Sequence, residues 1–282
     1  GNVDKQKFWD ILPNILSWAE GKGLTPLLTK RIAEKSSFDF EIIKSKDDFK
    51  KMDFMLALGG DGTFLSLART IQNSGIPILG VHLGDLGFLA KVTLKDLFPR
   101  LDQVVNNDYS IENRILIQSK IIKSDRLIEH VALNDFVFAN GESFRMLNTF
   151  VSVDGHFVGN YKADGLIIST PTGSTAYSLS AGGPIITPTV DSIVITPTSA
   201  HTLTSRPLVV PGTSKITVSF SEPADSIRFV SDGQVHEILD PKTKVEILKS
   251  DYTIPLIDFN DIDYFNTLRV KMGWGKRGDQ NV

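Results

Sequence analysis

The sequence predicts an α/β N-terminal domain with a Rossmann-like parallel sheet, residues 1–108. A β-rich C-terminal domain, 109–255, follows, with a tail, 256–282, that packs back on the first domain. Three observations carry this reading. A short apolar strand, Phe54–Leu58, runs into Gly59-Gly60-Asp61-Gly62-Thr63 and then into a helical apolar face, and a second short apolar strand follows. Strands of that kind alternating with helices imply a parallel sheet covered on its faces. Beyond about Ser110 the apolar runs shorten, become β-branched or aromatic, and are punctuated by Gly, Asp, Pro and Ser, as in antiparallel sheets. The tail, from Ile262 through Leu268 to Trp274, is aromatic-rich with one helically spaced set of apolar residues.

Taken in order, Phe8, Ile11, Leu12, Ile15 and Ala19 fall on one helical face between Lys5 and Ala19. Pro13 lies inside that pattern, where it costs about 3 kcal/mol and predicts a kink. A weak strand near Leu24–Leu28 and a polar stretch through Asp48 lead to the strand Phe54–Leu58. Phe64, Leu67, Ala68 and Ile71 mark the next helix, and Ile76–Val81 the next strand, ending in Gly84 and Gly87. A doubly wound domain normally begins with a strand, whereas this chain starts almost directly in a helix, so its first strand is expected to be missing. In the second domain the strand candidates are Ile115–Ile122, His130–Phe138, Phe150–Val158, Ile193–Ile195, Ile216–Phe220 and Val245–Leu248.

Composition bounds the function. With 282 residues, 41% of them apolar, the chain has ample material for a core. A formal charge of −3 argues against nucleic-acid backbone or an anionic membrane as the main partner. Cysteine is absent, which excludes disulfides and thiolate catalysis. No apolar run approaches the ~18 residues of a membrane span. The opening Gly1-Asn-Val-Asp-Lys, from which an initiator Met is expected to have been lost, has no charged-then-apolar leader. The expectation is a soluble cytoplasmic chain. The five histidines show no metal-ligand spacing, and no Gly-x-Ser-x-Gly elbow occurs.

Two segments carry chemistry. In Gly59-Gly60-Asp61-Gly62-Thr63, successive glycines let backbone N–H groups approach a ligand, and the helix N-terminus favours phosphate. Neither the Walker A nor the Gly-x-Gly-x-x-Gly pattern fits. A carboxylate inside a phosphate cradle repels its guest unless it holds Mg²⁺ or takes a proton from an attacking hydroxyl, both uses belonging to phosphoryl transfer. The plainer alternative is a turn whose Asp61 suits the helix dipole. The second segment, Asp164 to Pro184, is dense in Gly, Ser and Thr and contains Tyr177, a set suited to a base or a ribose. A long hydroxyl-rich connection would also account for it. Upstream, Asn134-Asp135 interrupts an apolar run and serves either a ligand or a turn or bulge.

Together these residues resemble the NAD kinase family, close to its bacterial members. The matching pieces are Gly59–Thr63, Gly80-Val-His-Leu-Gly84-Asp-Leu-Gly87-Phe-Leu, Leu133-Asn134-Asp135, Asp164 to Tyr177, His201 to Pro207, Ser231-Asp232-Gly-Gln234 and Tyr264-Phe-Asn-Thr-Leu. They follow the family's order over nearly the whole chain, and the Asp164–Tyr177 block is the most specific. The resemblance implies phosphoryl transfer from ATP or polyphosphate to the 2′-hydroxyl of the adenosine ribose of NAD, giving NADP, with Mg²⁺ or a similar divalent cation. It implies a site between two domains and a homodimer or homotetramer in which a neighbouring subunit completes the NAD site. It makes Asp61 the proton acceptor, with Gly60 and Gly62 lining its pocket. Asn134 and Asp135 become contacts to ribose hydroxyls and adenine, and Asp164, Thr175, Ala176, Tyr177 and Ser180 contacts to adenine and nicotinamide. Arg145, Lys162, Ser199 and Gln234 fall at further ligand-contact positions. His82 stands where many bacterial members carry Asn, and the family's first strand, ahead of the opening helix, is expected to be missing. Lipid kinases share the Gly-Gly-Asp-Gly-Thr loop but follow it with an acidic residue and Asn, where this chain has Phe64-Leu65-Ser66.

Overall fold

A computed structural model describes residues 1–123, 126–141, 145–202, 204–221 and 226–274. Leu203, inside the matched His201–Pro207 segment, lies outside the described residues. The chain forms two compact units, Gly1–Asn113 with Ile254–Val282, and Arg114–Thr253. The texture of the sequence placed the divisions at 108/109 and 255/256.

The first unit opens with α1, Gln6–Gly21, which runs through Pro13 as one helix. Phe8, Leu12, Ile15, Leu16 and Ala19 are buried along its face. At about 1.5–3 kcal/mol for each fully buried large side chain, that burial outweighs the proline penalty. The strand expected at 24–28 is short, β1 (Leu27–Leu28), followed by α2 (Lys30–Ala33). Next, β2 (Glu41–Ile42) pairs in parallel with β1. Then come β3 (Met55–Gly59), α3 (Asp61–Ile71), β4 (Ile78–His82) and α4 (Leu97–Val105). β3 and β4 are parallel, with Gly59 opposite His82. Leu65, rather than Leu67, completes the buried face of α3 beside Phe64, Ala68 and Ile71.

The second unit carries the β-rich fold. Its strands are β5 (Ser110–Lys123), whose first residues belong to the first unit, β6 (Arg126–Ala132), β7 (Asp135–Asn140), β8 (Leu147–Val153), β9 (His156–Ala163) and β10 (Gly165–Ser169). The short α5 (Tyr177–Ser180) precedes β11 (Ser192–Thr198), β12 (Leu208–Pro211), β13 (Ile216–Phe220), β14 (Ile227–Ser231), β15 (Val235–Leu239) and β16 (Val245–Asp258). A six-stranded antiparallel sheet has the order β12-β11-β10-β7-β14-β15. In a second sheet, β13 lies between β8 and the start of β16. The apolar core gathers Phe136, Phe138, Ile168, Ile195 and Phe229 from the first sheet with Val151, Ile216, Val218 and Val245 from the second. Two runs read as single strands are hairpins or corners instead. His130–Phe138 breaks at Leu133-Asn134, and Phe150–Val158 turns at Asp154-Gly155, where both residues have positive φ.

The end of β16 returns to the first unit, where Leu256 pairs in parallel with Ile78 of β4. Ile257 and Phe259 join the first unit's core. The closing helix, α6 (Tyr264–Met272), stacks Tyr264 against Phe88 and sends Lys271 Nζ to the Leu86 carbonyl. The described part of the tail, 256–274, packs on the α/β unit as the sequence suggests.

Candidate active site

In the first unit the glycine loop ends β3 and Gly60 caps α3, accepting from the N–H groups of Thr63 and Phe64. Asp61 is the first helical residue. Its carboxylate takes three consecutive backbone donors. Phe88 N–H donates to Oδ2 at 2.9 Å, and Leu89 and Ala90 N–H donate to Oδ1 at 3.1 and 3.0 Å. Two glycines make this approach possible. A Cβ at Gly80 would lie 2.5 Å from the Leu89 carbonyl oxygen, and one at Gly87 would lie 2.1 Å from Asp61 Oδ1. A carboxylate offers about four lone-pair positions, so Oδ2 keeps one for a further donor. His82, opposite Gly59, donates from Nδ1 to the Gly84 carbonyl at 2.6 Å and thereby braces the same loop.

In the second unit the backbone of Leu133-Asn134-Asp135 is completely satisfied. The three N–H groups donate to the Asp232 carboxylate at 3.0, 2.7 and 3.2 Å. The Leu133 and Asn134 carbonyls accept from Thr170 Oγ1 and Thr170 N–H, and the Asp135 carbonyl from Asp232 N–H. Thr170 Oγ1 also accepts from Gly173 N–H, which starts the hydroxyl-rich loop. Gly173 packs so closely that a Cβ there would lie 2.1 Å from the Asn134 carbonyl oxygen. Beneath the loop, the buried Arg114 donates from Nη1 to Thr172 Oγ1. Thr175 and Ala176 are half-buried, whereas Tyr177 and Ser180 are exposed. α5 is tied to the sheet by Ser178 Oγ against Thr196 Oγ1 at 2.8 Å.

Asp135 is 5% exposed. Burial first, and the negative charge of Asp232 second, push its carboxyl up to about 7. A buried acid that titrates near neutrality beside a hydroxyl-rich loop is a mark of a ligand site.

The remaining expected residues lie elsewhere in the second unit, Lys162 on β9 of the second sheet and Asp164 just before β10 of the first. Lys162, Asp164 and Ser199 come together, because His201 N–H donates to the Lys162 carbonyl and Asp164 N–H to Thr198. Arg145 accepts through its carbonyl from Asn140 Nδ2, at the same end of the sheet. Asn134, Asp135, Thr170–Thr175 and Gln234 lie at the other end: Ser169 faces Asp135 across β7–β10, while Gly165 faces Ala139. Four residues of strand, about 14 Å, separate the two groups. Asp232 and Thr170 lie within the segments that carry the family resemblance but are not singled out there as site residues, and nothing local in the sequence singles out Arg114.

A glycine loop opening a helix on a parallel sheet, joined to a β-rich unit with a clamped Asn-Asp pair, is the layout of a nucleotide-dependent phosphotransferase. The family model for the ATP-NAD kinase N-terminal domain matches residues 26–109, and that for the ATP-NAD kinase C-terminal domain matches residues 133–259. The chain is similar to the NAD kinase of Geotalea daltonii, 39% identical over 268 residues that cover 95% of this chain and 94% of that protein. Against the NAD kinase of Thermoanaerobacter sp. strain X514 it is 39% identical over 272 residues, 96% of each. Among solved structures, yeast NADH kinase complexed with NADH superposes with a TM-score of 0.88 at 25% identity, covering 97% of this chain and 86% of that one. An NAD kinase from Archaeoglobus fulgidus in complex with ATP gives 0.69 at 26% identity, covering 88% and 97%. The chain belongs to the NAD kinase family.

Proposed function

We propose that this chain transfers the terminal phosphoryl group of ATP to the 2′-hydroxyl of the adenosine ribose of NAD, with Asp61 taking the hydroxyl proton. The observation that carries the reading is the seat of Asp61. It stands at the N-terminus of α3, is held from one side by three N–H donors, and keeps an acceptor position on Oδ2. A group so fixed needs no reorganisation to receive a proton, and in phosphoryl transfer positioning supplies most of the catalysis. Gly60 and Gly62 leave the start of the helix open to phosphate oxygens.

The residues suit a divalent ion brought in with the nucleotide. Among the described residues no three His, Cys, Asp or Glu side chains gather as a metal cage. Mg²⁺ is commonly held by substrate phosphates with one or two carboxylates, and Asp61 is the acid at the glycine loop. The ion would neutralise charge on the phosphate oxygens.

Asn134 and Asp135 bind ribose hydroxyls and adenine, held by a backbone whose own donors and acceptors are all paired. Thr175, Ala176, Tyr177, Ser180 and Gln234 complete that contact, Tyr177 through its exposed ring. Arg145, Lys162, Asp164 and Ser199, grouped away from the Asn134–Asp135 corner, serve the ligand of a neighbouring subunit in a homodimer or homotetramer. Exposed apolar side chains on β5, β6 and β9 (Ile122, Leu127, Phe157) support self-association. The same reading places the reaction in the cytoplasm; no helix among the described residues is long and apolar enough to cross a membrane.

The test is product formation. Enzyme with Mg-ATP and NAD is assayed with an NADP-specific dehydrogenase, with polyphosphate and NADH in parallel arms. NADP formed from ATP and NAD supports the reading; its absence from every arm overturns it.

A further inference from the structure

Asp232 is a poor choice if its task is only to make a turn. It follows β14 with φ 49°, Gly233 follows with φ 65°, and Gln234 N–H closes the turn on the Ser231 carbonyl. Asn or Gly meets those conformational demands without a charge. The sequence instead buries a carboxylate, 9% exposed, against a second buried acid, Asp135. Two like charges in a dry place oppose folding unless the charge has work to do.

We propose that Asp232 is a positioning residue for the acceptor dinucleotide: by holding the N–H groups of Leu133, Asn134 and Asp135, its carboxylate aims the Asn134 amide and the Asp135 carboxyl at the ligand. The proposal rests on the reading of Asn134 and Asp135 as dinucleotide contacts. The geometry supports it at each atom. Oδ2 takes Leu133, Oδ1 takes Asn134 and Asp135, and Thr170 holds the Leu133 and Asn134 carbonyls from the other side. The peptide units are locked between two clamps, and the side chains at 134 and 135 inherit that fixed direction. Charge-assisted hydrogen bonds from consecutive N–H groups are the strong kind, so an amide in place of the acid is not equivalent.

The same charge tunes Asp135. On the strands beside it, Ser169 of β10 faces Asp135 and Ser231 of β14 faces Phe136, both uncharged. Arg228 of β14 is opposite Ala139, toward the far end of the sheet, and His130 of β6 lies against Glu237 of β15. Asp232 is the charge that raises the Asp135 carboxyl, after burial. Removing it lowers the pH at which Asp135 ionises.

Four proteins decide the matter: wild type, Asp232→Asn, Asp232→Gly and Asn134→Ala. Each is melted thermally and assayed with varied NAD at saturating Mg-ATP from about pH 5.5 to 8.5. Both Asp232 variants are expected to fold, since Asn and Gly accept the positive φ. KM for NAD should rise about tenfold or more, with kcat within about threefold. The pH midpoint of the KM profile should fall, a shift that mere loosening of the fold does not produce. Unchanged KM and midpoint in folded Asp232 variants, with KM raised in Asn134→Ala, overturn the proposal while leaving the underlying reading intact. Unchanged KM in Asn134→Ala overturns that reading and the proposal with it. Failure of both Asp232 variants to fold also overturns it, because Asp232 then holds the structure rather than the ligand.

Discussion

The loop after β4 and the corner before β7 are held by the same local device, one carboxylate accepting three successive backbone N–H groups, put to opposite ends. In the first unit the acid, Asp61, sits on the helix and grips a remote loop, Phe88 to Ala90. Asp61 itself is half-buried and faces the place where chemistry is proposed. In the second unit the acid, Asp232, lies in a tight turn and is buried, and the segment it grips carries Asn134 and Asp135, the proposed ligand contacts. The difference separates two uses of a fixed charge. On the proposed reading one clamp immobilises the reacting group; the other immobilises the groups that would hold the substrate and raises the ionisation range of one of them.

If that contrast is right, damage at the first clamp falls on turnover and damage at the second on NAD affinity. The largest effect is expected from Asp61→Asn, which should lower turnover by ~10²-fold or more while NAD still binds with near wild-type affinity, read by NADP formation and by calorimetry. Next comes a matched pair of glycines. Gly87→Ala places a Cβ 2.1 Å from Asp61 Oδ1 and should cut kcat about tenfold with little change in KM for NAD. Gly173→Ala places one 2.1 Å from the Asn134 carbonyl oxygen and should raise KM for NAD instead. It should also cost about 1–3 kcal/mol of stability, since a backbone oxygen cannot yield as a side chain can. Equal effects of the two alanines on kcat and KM would erase the distinction.

The smallest effect concerns stability against pH. The folded-state pKa of Asp135 is raised from 3.8 to about 7, so between those values the folded chain binds the proton more tightly than the unfolded one. Stability therefore falls as pH rises through this window, and the loss is complete above about 7. Asp135→Asn removes the titration. Its melting temperature should gain on that of wild type as pH rises from 5 to 8, and a constant gap would contradict the assignment.

The legible parts of the molecule were those written in adjacent residues. The strand–glycine–helix run at 54–71 and the tail followed from apolar spacing alone. The helix Leu97–Val105 was passed over although Leu97, Leu101 and Val104 recur at helical spacing, with Pro99 in its first turn. β2 could not be read because a two-residue strand leaves too little pattern, and the weak strand read at 24–28 is only two residues long in the fold. Within the site, the residue types at Asp61, Asn134 and Asp135 announced polar chemistry. What each carboxylate grips did not show: Asp61 reaches 27 to 29 residues ahead and Asp232 about a hundred back, contacts that only the folded chain creates. The division of the expected ligand contacts between the two ends of β10 was hidden for the same reason, since Asp164 and Thr170 are close in sequence and separated by the length of that strand.

The most direct test is a crystal of the full chain with NAD bound. The account predicts the 2′-oxygen of the adenosine ribose within hydrogen-bond reach, about 2.6–3.2 Å, of Asp61 Oδ2, with the Phe88–Ala90 N–H groups still on the carboxylate. A dinucleotide whose ribose lies away from Asp61, the acid turned to bulk water, would contradict it.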